Sequence, residues 1–161
     1  MAEKLTAADK AAIKDELVRE LEKRIDTLTL QAAQAGPALT TENRRFYEDS
    51  MNKTIEDLRA QMRHVQPVQL RPFGPQEPIA EGALLRARFE PAGLAATETW
   101  ILILAGASHT GLAYKGHEIN IGAGNFGYGG SLLGLRAGES SRVYGDGRGI
   151  PDYTVGVLEV L

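Results

Sequence analysis

The sequence predicts an α+β protein: an N-terminal antiparallel coiled-coil helical hairpin followed by a small antiparallel β domain with one short helix. Three observations carry this. Residues 6–35 and 40–66 hold no proline or glycine, and the first stretch is rich in Ala, Leu, Glu and Lys. Pro67, Pro72, Pro75 and Pro78 then fall close together and end the helical text. From Gly82 onward, short β-prone runs alternate with turn residues. The chain therefore divides into a hairpin over residues 1–66, a proline-rich connector over 67–81 and a β domain over 82–161.

Residues 1–5 read as a frayed tail. Thr6, with Asp9 three residues on, opens the first helix. Ile13, Leu17, Leu21, Ile25, Leu28 and Ala32 recur at spacings of three or four, and so do Phe46 or Tyr47, Met51, Ile55, Leu58, Met62 and Val65. Gly36-Pro37 stops the first helix, because Gly accepts the left-handed conformation and Pro cannot continue the ladder. Thr40 or Thr41 caps the second. Each helix has one narrow apolar stripe, too little for a globular core but enough for a two-stranded seam. Folding back at Pro37 sets Leu28 near Met51, Leu21 near Ile55 or Leu58, and Leu17 near Met62, in a finger roughly 40 Å long. The competing arrangement lays the pair flat on the rest of the protein.

The connector prolines keep the backbone extended, and Leu70, Phe73 and Ile79 give it apolar groups to pin it down. In the β domain, residues 84–89 and 97–104 read as strands. Residues 112–114 and 117–121 flank Lys115-Gly116 as a tight hairpin. Residues 131–136 suit a short helix, and 140–144 and 153–161 are two further strands joined by a turn-rich loop. The expected core is Leu85, Phe89, Trp100, Leu102, Ile119, Leu132, Leu133, Val143, Val155 and Leu158.

Composition narrows the function classes. The chain has 161 residues, a formal net charge of −3 and no cysteine. The charge gives no field that calls for nucleic acid or membrane. The absence of cysteine excludes a disulfide scaffold, thiol catalysis and Cys-ligated zinc. No apolar run is long enough to span a bilayer, and the first ten residues lack a signal core. The expectation is a cytoplasmic protein without membrane association. His64, His109 and His117 are far apart and lack metal-ligand spacing. Residues 122–127 spell GxGxxG, but no βαβ unit surrounds them, so they read as a glycine loop.

Several segments resemble the Gre family of bacterial transcription elongation and transcript-cleavage factors. LTAADKAAIKDEL resembles the family's opening helix. Glu42-Asn43 with Phe46 resembles its tip segment, where Glu-Asn and a nearby Tyr begin the second helix. EINIGAGNFGYGGSLLGLRAGESSRV matches a family segment like INSPLGRALLGKRVGDEV at Ile119, Gly129, Leu132, Leu133, Gly134, Gly138 and Glu139. DYTVGVLEVL resembles the last strand.

The resemblance implies an FKBP-like β domain that docks at the rim of the RNA polymerase secondary channel, through Gly129, Leu132, Leu133, Gly134, Gly138 and Glu139. It implies a finger that enters the channel and brings Asn43, Arg44, Arg45 and Phe46 to the polymerase or to the RNA 3′ end, within the complex only. The chain would be an accessory factor rather than an enzyme, a monomer, with no cofactor of its own. Mg²⁺ would belong to the polymerase active site, with Glu42 as tip acid and weak ligand in the complex. The departures are specific. Where the family's cleavage tip reads like GDLKEN, this chain reads GPALTTEN, so Pro37 stands in place of the tip Asp. Glu42 also has a plain reading, as an acid favoured in a helix's first turn. The family's Ser-Pro is replaced by Phe126 and Gly127. The alternative is an FKBP-like peptidyl-prolyl isomerase or chaperone with a coiled-coil arm, whose pocket would be apolar and built around Trp100 with Phe126, Tyr128 and Tyr144.

Overall fold

The computed structural model describes residues 2–35, 39–104, 107, 110–122, 132–145, 147–149 and 151–161. Two helices, α1 (Asp9–Ala35) and α2 (Thr41–Val65), precede six strands, β1 (Leu84–Pro91), β2 (Thr97–Ile103), β3 (Thr110–Tyr114), β4 (His117–Gly122), β5 (Ser140–Val143) and β6 (Tyr153–Val160). The fold class is α+β, as the sequence predicts. The predicted turn residues Gly36, Pro37 and Ala38 lie outside the described residues.

The helices run antiparallel, since Lys14 near the start of α1 donates to the carbonyls of Gln66 and Val68 at the end of α2. Of the two candidate caps, Thr40 is the one used: its hydroxyl accepts from the Asn43 amide at 3.3 Å. The seam follows the predicted stripe. Ile13, Leu17, Leu21, Ile55, Leu58 and Val65 are buried, while Ile25, Leu28, Ala32, Tyr47, Met51 and Met62 are half-buried. Burial declines along α1 away from its start: Ile13, Leu17 and Leu21 share one buried cluster with sheet residues, while Ile25 and Leu28 are only partly buried against it. Tyr47 takes the seam position and Phe46 is 79% exposed.

The sheet order is β3-β4-β2-β1-β6-β5. One pair departs from the predicted all-antiparallel sheet: β2 and β4 are parallel, with Trp100 opposite Ile119 and Leu102 opposite Ile121. The reason lies in side-chain burial. β4 brings Ile119 and Ile121 into the core, whereas Leu112 is the buried apolar side chain of β3, so the hairpin docks with β4 inward and leaves β3 at the edge. Its turn is a two-residue one, Lys115 at φ 48° and Gly116 at φ 80°, the pair of left-handed residues that matches strand twist.

Both faces of the sheet are covered. On one, Leu84, Leu102, Leu104, Ile119 and Ile121 pack with Leu5, Ile13, Leu17, Leu21, Leu58 and Val65. On the other, Leu85, Ala87, Ile101, Ile103, Val155 and Val157 pack with Phe73 and Ile79 of the connector and with Leu132. The connector is pinned as expected, with backbone bonds from Ile79 to Leu135 and from Gly134 to Ile79.

Four further expectations are corrected. Residues 2–5 are not frayed. Leu5 is 1% exposed, the Glu3 amide donates to Lys115, and His117 bonds the Glu3 carbonyl. Leu158 is 39% exposed rather than core. The register runs from Arg86 opposite Glu159 to Ala87 opposite Val157, so Leu158 is the extra residue of a β-bulge. Leu133 is 42% exposed because the chain turns directly after Leu132, which takes the buried position. Of the predicted short helix, Leu132 has helical backbone and residues 133–134 form a turn; Ser131 lies outside the described residues.

Asp9 ties the root of α1 to the β3–β4 turn. Its carboxylate accepts from the Thr6 amide (2.7 Å) and the Tyr114 hydroxyl (3.0 Å) and meets Lys115 Nζ at 3.0 Å. Burial pushes this carboxyl up, but the bonds from Thr6, Lys115 and Tyr114 outweigh it and hold it at about 2, below the usual 3.8. Ionised Asp9 therefore stabilises the fold above the unfolded-state value, and that contribution is lost as pH falls from about 4 towards 2. Asp9→Asn is expected to cost about 1–2 kcal/mol at neutral pH. Urea melts should show the gap to the parent protein closing as pH falls through that window.

Candidate functional site

The tip of the finger is the first functional candidate. Helix α2 begins at Thr41, so Glu42 lies in its first turn, where the unpaired amides of the helix start favour a negative charge. Glu42, Asn43, Arg45 and Phe46 are exposed, and Arg44 is half-buried. The structure thus brings four of the five predicted tip residues to solvent. Phe46 is one of several exposed large apolar side chains, with Leu30, Leu94 and Tyr144 among them, so its exposure alone does not mark a site. Among the described residues no group of three or more His, Cys, Asp or Glu is placed to hold a metal ion. Glu42 offers one carboxylate, and Mg²⁺ needs several oxygen ligands. These residues alone do not fit a Mg²⁺ site.

The C-terminal motif has a different geometry. Leu132 is fully buried against the connector-side core. Gly134 (φ 85°) donates to Ile79, and Gly138 (φ 89°) donates to Val157 at 2.8 Å. Both carry left-handed backbone that a side chain would strain. Glu139 accepts from the Arg136 amide at 2.9 Å and lies 3.8 Å from its guanidinium. Leu132 and Gly134 hold this segment against the connector, Gly138 and Glu139 tie it to Val157 of β6, and Leu133 exposes apolar surface. Gly129 lies outside the described residues.

A cleft of about 390 Å³ opens beside Trp100, lined by Lys4, Leu5, Arg86, Glu98, Thr99, His117 and Glu159. The Trp100 and His117 rings meet edge to face at 6.0 Å, and Arg86 lies 3.2 Å from Glu98 and 3.7 Å from Glu159. Leu5 and Trp100 are its apolar side chains; the rest are polar. An isomerase pocket for proline needs an apolar floor, and among the described residues only these two contribute apolar side chains to this one. Tyr144 is 75% exposed at the end of β5 and does not line it. Phe126 and Tyr128 lie outside the described residues.

No family model matches the chain, and no curated protein matches it by sequence. Solved structures do. The crystal structure of GreA factor homolog 1 (Gfh1) of Thermus thermophilus aligns over 93% of each chain at 12% identity and a TM-score of 0.37. That of Thermus aquaticus Gfh1 aligns over 95% of this chain and 94% of its own, at 11% identity and a TM-score of 0.37. A third structure, of the transcription factor Gfh1, covers 99% of both chains at 16% identity and a TM-score of 0.39.

Among the described residues, no helix is long and apolar enough to cross a membrane. The sequence missed the buried charges at the finger's root. Lys10 is 0% exposed; burial and the neighbouring Arg71 depress it to about 8, against the opposing Glu77. A signal existed: Lys10 falls on the apolar stripe three residues before Ile13, where a solvated lysine is out of place.

Proposed function

We propose that this chain is a Gre-type regulator that binds bacterial RNA polymerase at its secondary channel and modulates elongation as a channel occupant. The observation that carries the reading is the tip. A two-helix finger on a β domain presents Glu42, Asn43, Arg45 and Phe46 to solvent at its far end, and of these Glu42, Asn43 and Phe46 resemble the Gre tip segment. The β domain, FKBP-like in this reading, docks at the channel rim through the loop that holds Leu133. Leu132, Gly134, Gly138 and Glu139 shape that loop, and Gly129 belongs to the same motif. Arg44 and Arg45 supply charge for phosphate or for acidic polymerase groups, and Phe46 offers a flat face for a base at the RNA 3′ end. The protein itself performs no chemistry. With Pro37 in place of the tip Asp, a lone Glu42 gives little help to transcript cleavage.

Elongation and backtracked-complex assays test this. Added protein is expected to slow RNA synthesis and to stimulate cleavage weakly at most, and Glu42→Gln should leave the slowing unchanged. Strong cleavage stimulation that disappears in Glu42→Gln would replace the occupant reading with a cleavage-factor reading. No effect on either activity would overturn both.

A further inference from the structure

The root of the finger is clamped by charge rather than by apolar contact alone. Lys10 Nζ donates to the Arg71 carbonyl at 2.8 Å and the Gly82 carbonyl at 2.9 Å, and sits 4.5 Å from the centre of the Phe73 ring. The Arg71 guanidinium lies 4.3 Å from the same ring. One turn on, Lys14 Nζ donates to Gln66 and Val68 at 3.0 and 2.9 Å. Two lysines four apart on α1 therefore hold four carbonyls spread over the end of α2, the connector and the entry to β1.

Burying an ammonium is costly, and an apolar side chain of similar volume is often no less stabilising. What lysine adds is direction. Hydrophobic contact is non-directional, whereas four N–H···O bonds fix the angles of α1, α2 and the connector together. The lever is long: α1 has 27 residues, about 40 Å at 1.5 Å per residue. A tilt of roughly 10° at the root would swing a tip about 40 Å away by about 7 Å.

We propose that Lys10 and Lys14 are positioning residues that aim the finger, setting the direction of the tip relative to the β domain. Their use at the polymerase rests on the function proposed above; the aim itself is a property of the free protein.

The chain has no cysteine, so Arg45→Cys and Thr97→Cys give two unique spin-label sites on otherwise intact protein. Pulsed electron-spin distance measurement should give a narrow tip-to-sheet distribution in the parent. Lys10→Met and Lys14→Met should each broaden it by several ångström, with the thermal midpoint near the parent's, and the double variant should broaden it further. Lys10→Arg, which keeps two donors, should stay closer to the parent than Lys10→Met. Lys14 lies at a more exposed position, so its variant decides the matter if Lys10→Met does not fold. Folded variants with a distribution as narrow as the parent's would overturn the proposal. The measurement needs no polymerase, so failure to bind polymerase would sink the function and leave this result standing.

Discussion

Leu102→Ala is expected to destabilise the protein by about 3–4 kcal/mol, the range for a fully buried leucine whose site cannot collapse. Leu102 is 0% exposed and sits opposite Leu84 on β1, in the cluster that joins the sheet to Leu5, Ile13, Leu17, Leu21 and Leu58. Its truncation opens a void that sheet, helices and N-terminal segment all line, and none can close it without moving the others. For a domain of this size each kcal/mol lowers the thermal midpoint by roughly 2–4 °C, so the drop should be on the order of 10 °C. Leu94→Ala, at a side chain 68% exposed in the β1–β2 turn, is the control and should change stability by less than about 0.5 kcal/mol. Equal effects of the two changes would mean that the helices do not cover this face of the sheet.

Leu58→Asp should have the larger effect on the finger. Leu58 is 3% exposed and packs in the same cluster as Leu17 and Leu21. A carboxylate there would be set among apolar side chains. It loses the apolar burial and adds an unpaired buried charge, a combination that exceeds about 4 kcal/mol. Neither helix has a second apolar face to fall back on, so helical circular dichroism should fall together with stability. Phe46→Asp, at a ring 79% exposed, should leave the spectrum and the melt almost unchanged. If Phe46→Asp unfolded the finger as readily as Leu58→Asp, the assignment of seam and tip would be reversed.

Much of this fold was legible in the sequence, for physical reasons. The seam could be read because a two-helix contact leaves a strict spacing of three and four, and the Lys115-Gly116 turn because few residue pairs suit two left-handed positions. Residues 97–104 could be read as a strand from their β-prone composition, but of Ile101 to Leu104 only Leu102 was expected in the core, whereas all four are buried because both faces of the sheet are covered. What stayed hidden depends on distant partners. The burial of Leu5 is created by helices and strands that follow it. The parallel β2–β4 pairing has no local signature, since it follows from which arm of the hairpin carries more apolar burial. The bulge at Leu158 shifts a register that alternation alone cannot place. The tip residues could be chosen from sequence, but that Phe46 rather than Tyr47 faces water needed the helix phase. Of the C-terminal motif residues, Leu132, Gly134, Gly138 and Glu139 all hold backbone in place, a role that sequence similarity does not separate from docking.

The central claim is that the tip reaches the polymerase active centre while the β domain stays at the channel rim. Hydroxyl-radical mapping tests it most directly. Iron placed at the active-site metal position of RNA polymerase generates radicals that cut only nearby chain, and the bound protein is then sized from one labelled end. The account predicts cuts confined to the far end of the finger, around Glu42 to Phe46, with the β domain intact. An uncut chain, or cuts in the β domain with the tip intact, would contradict it.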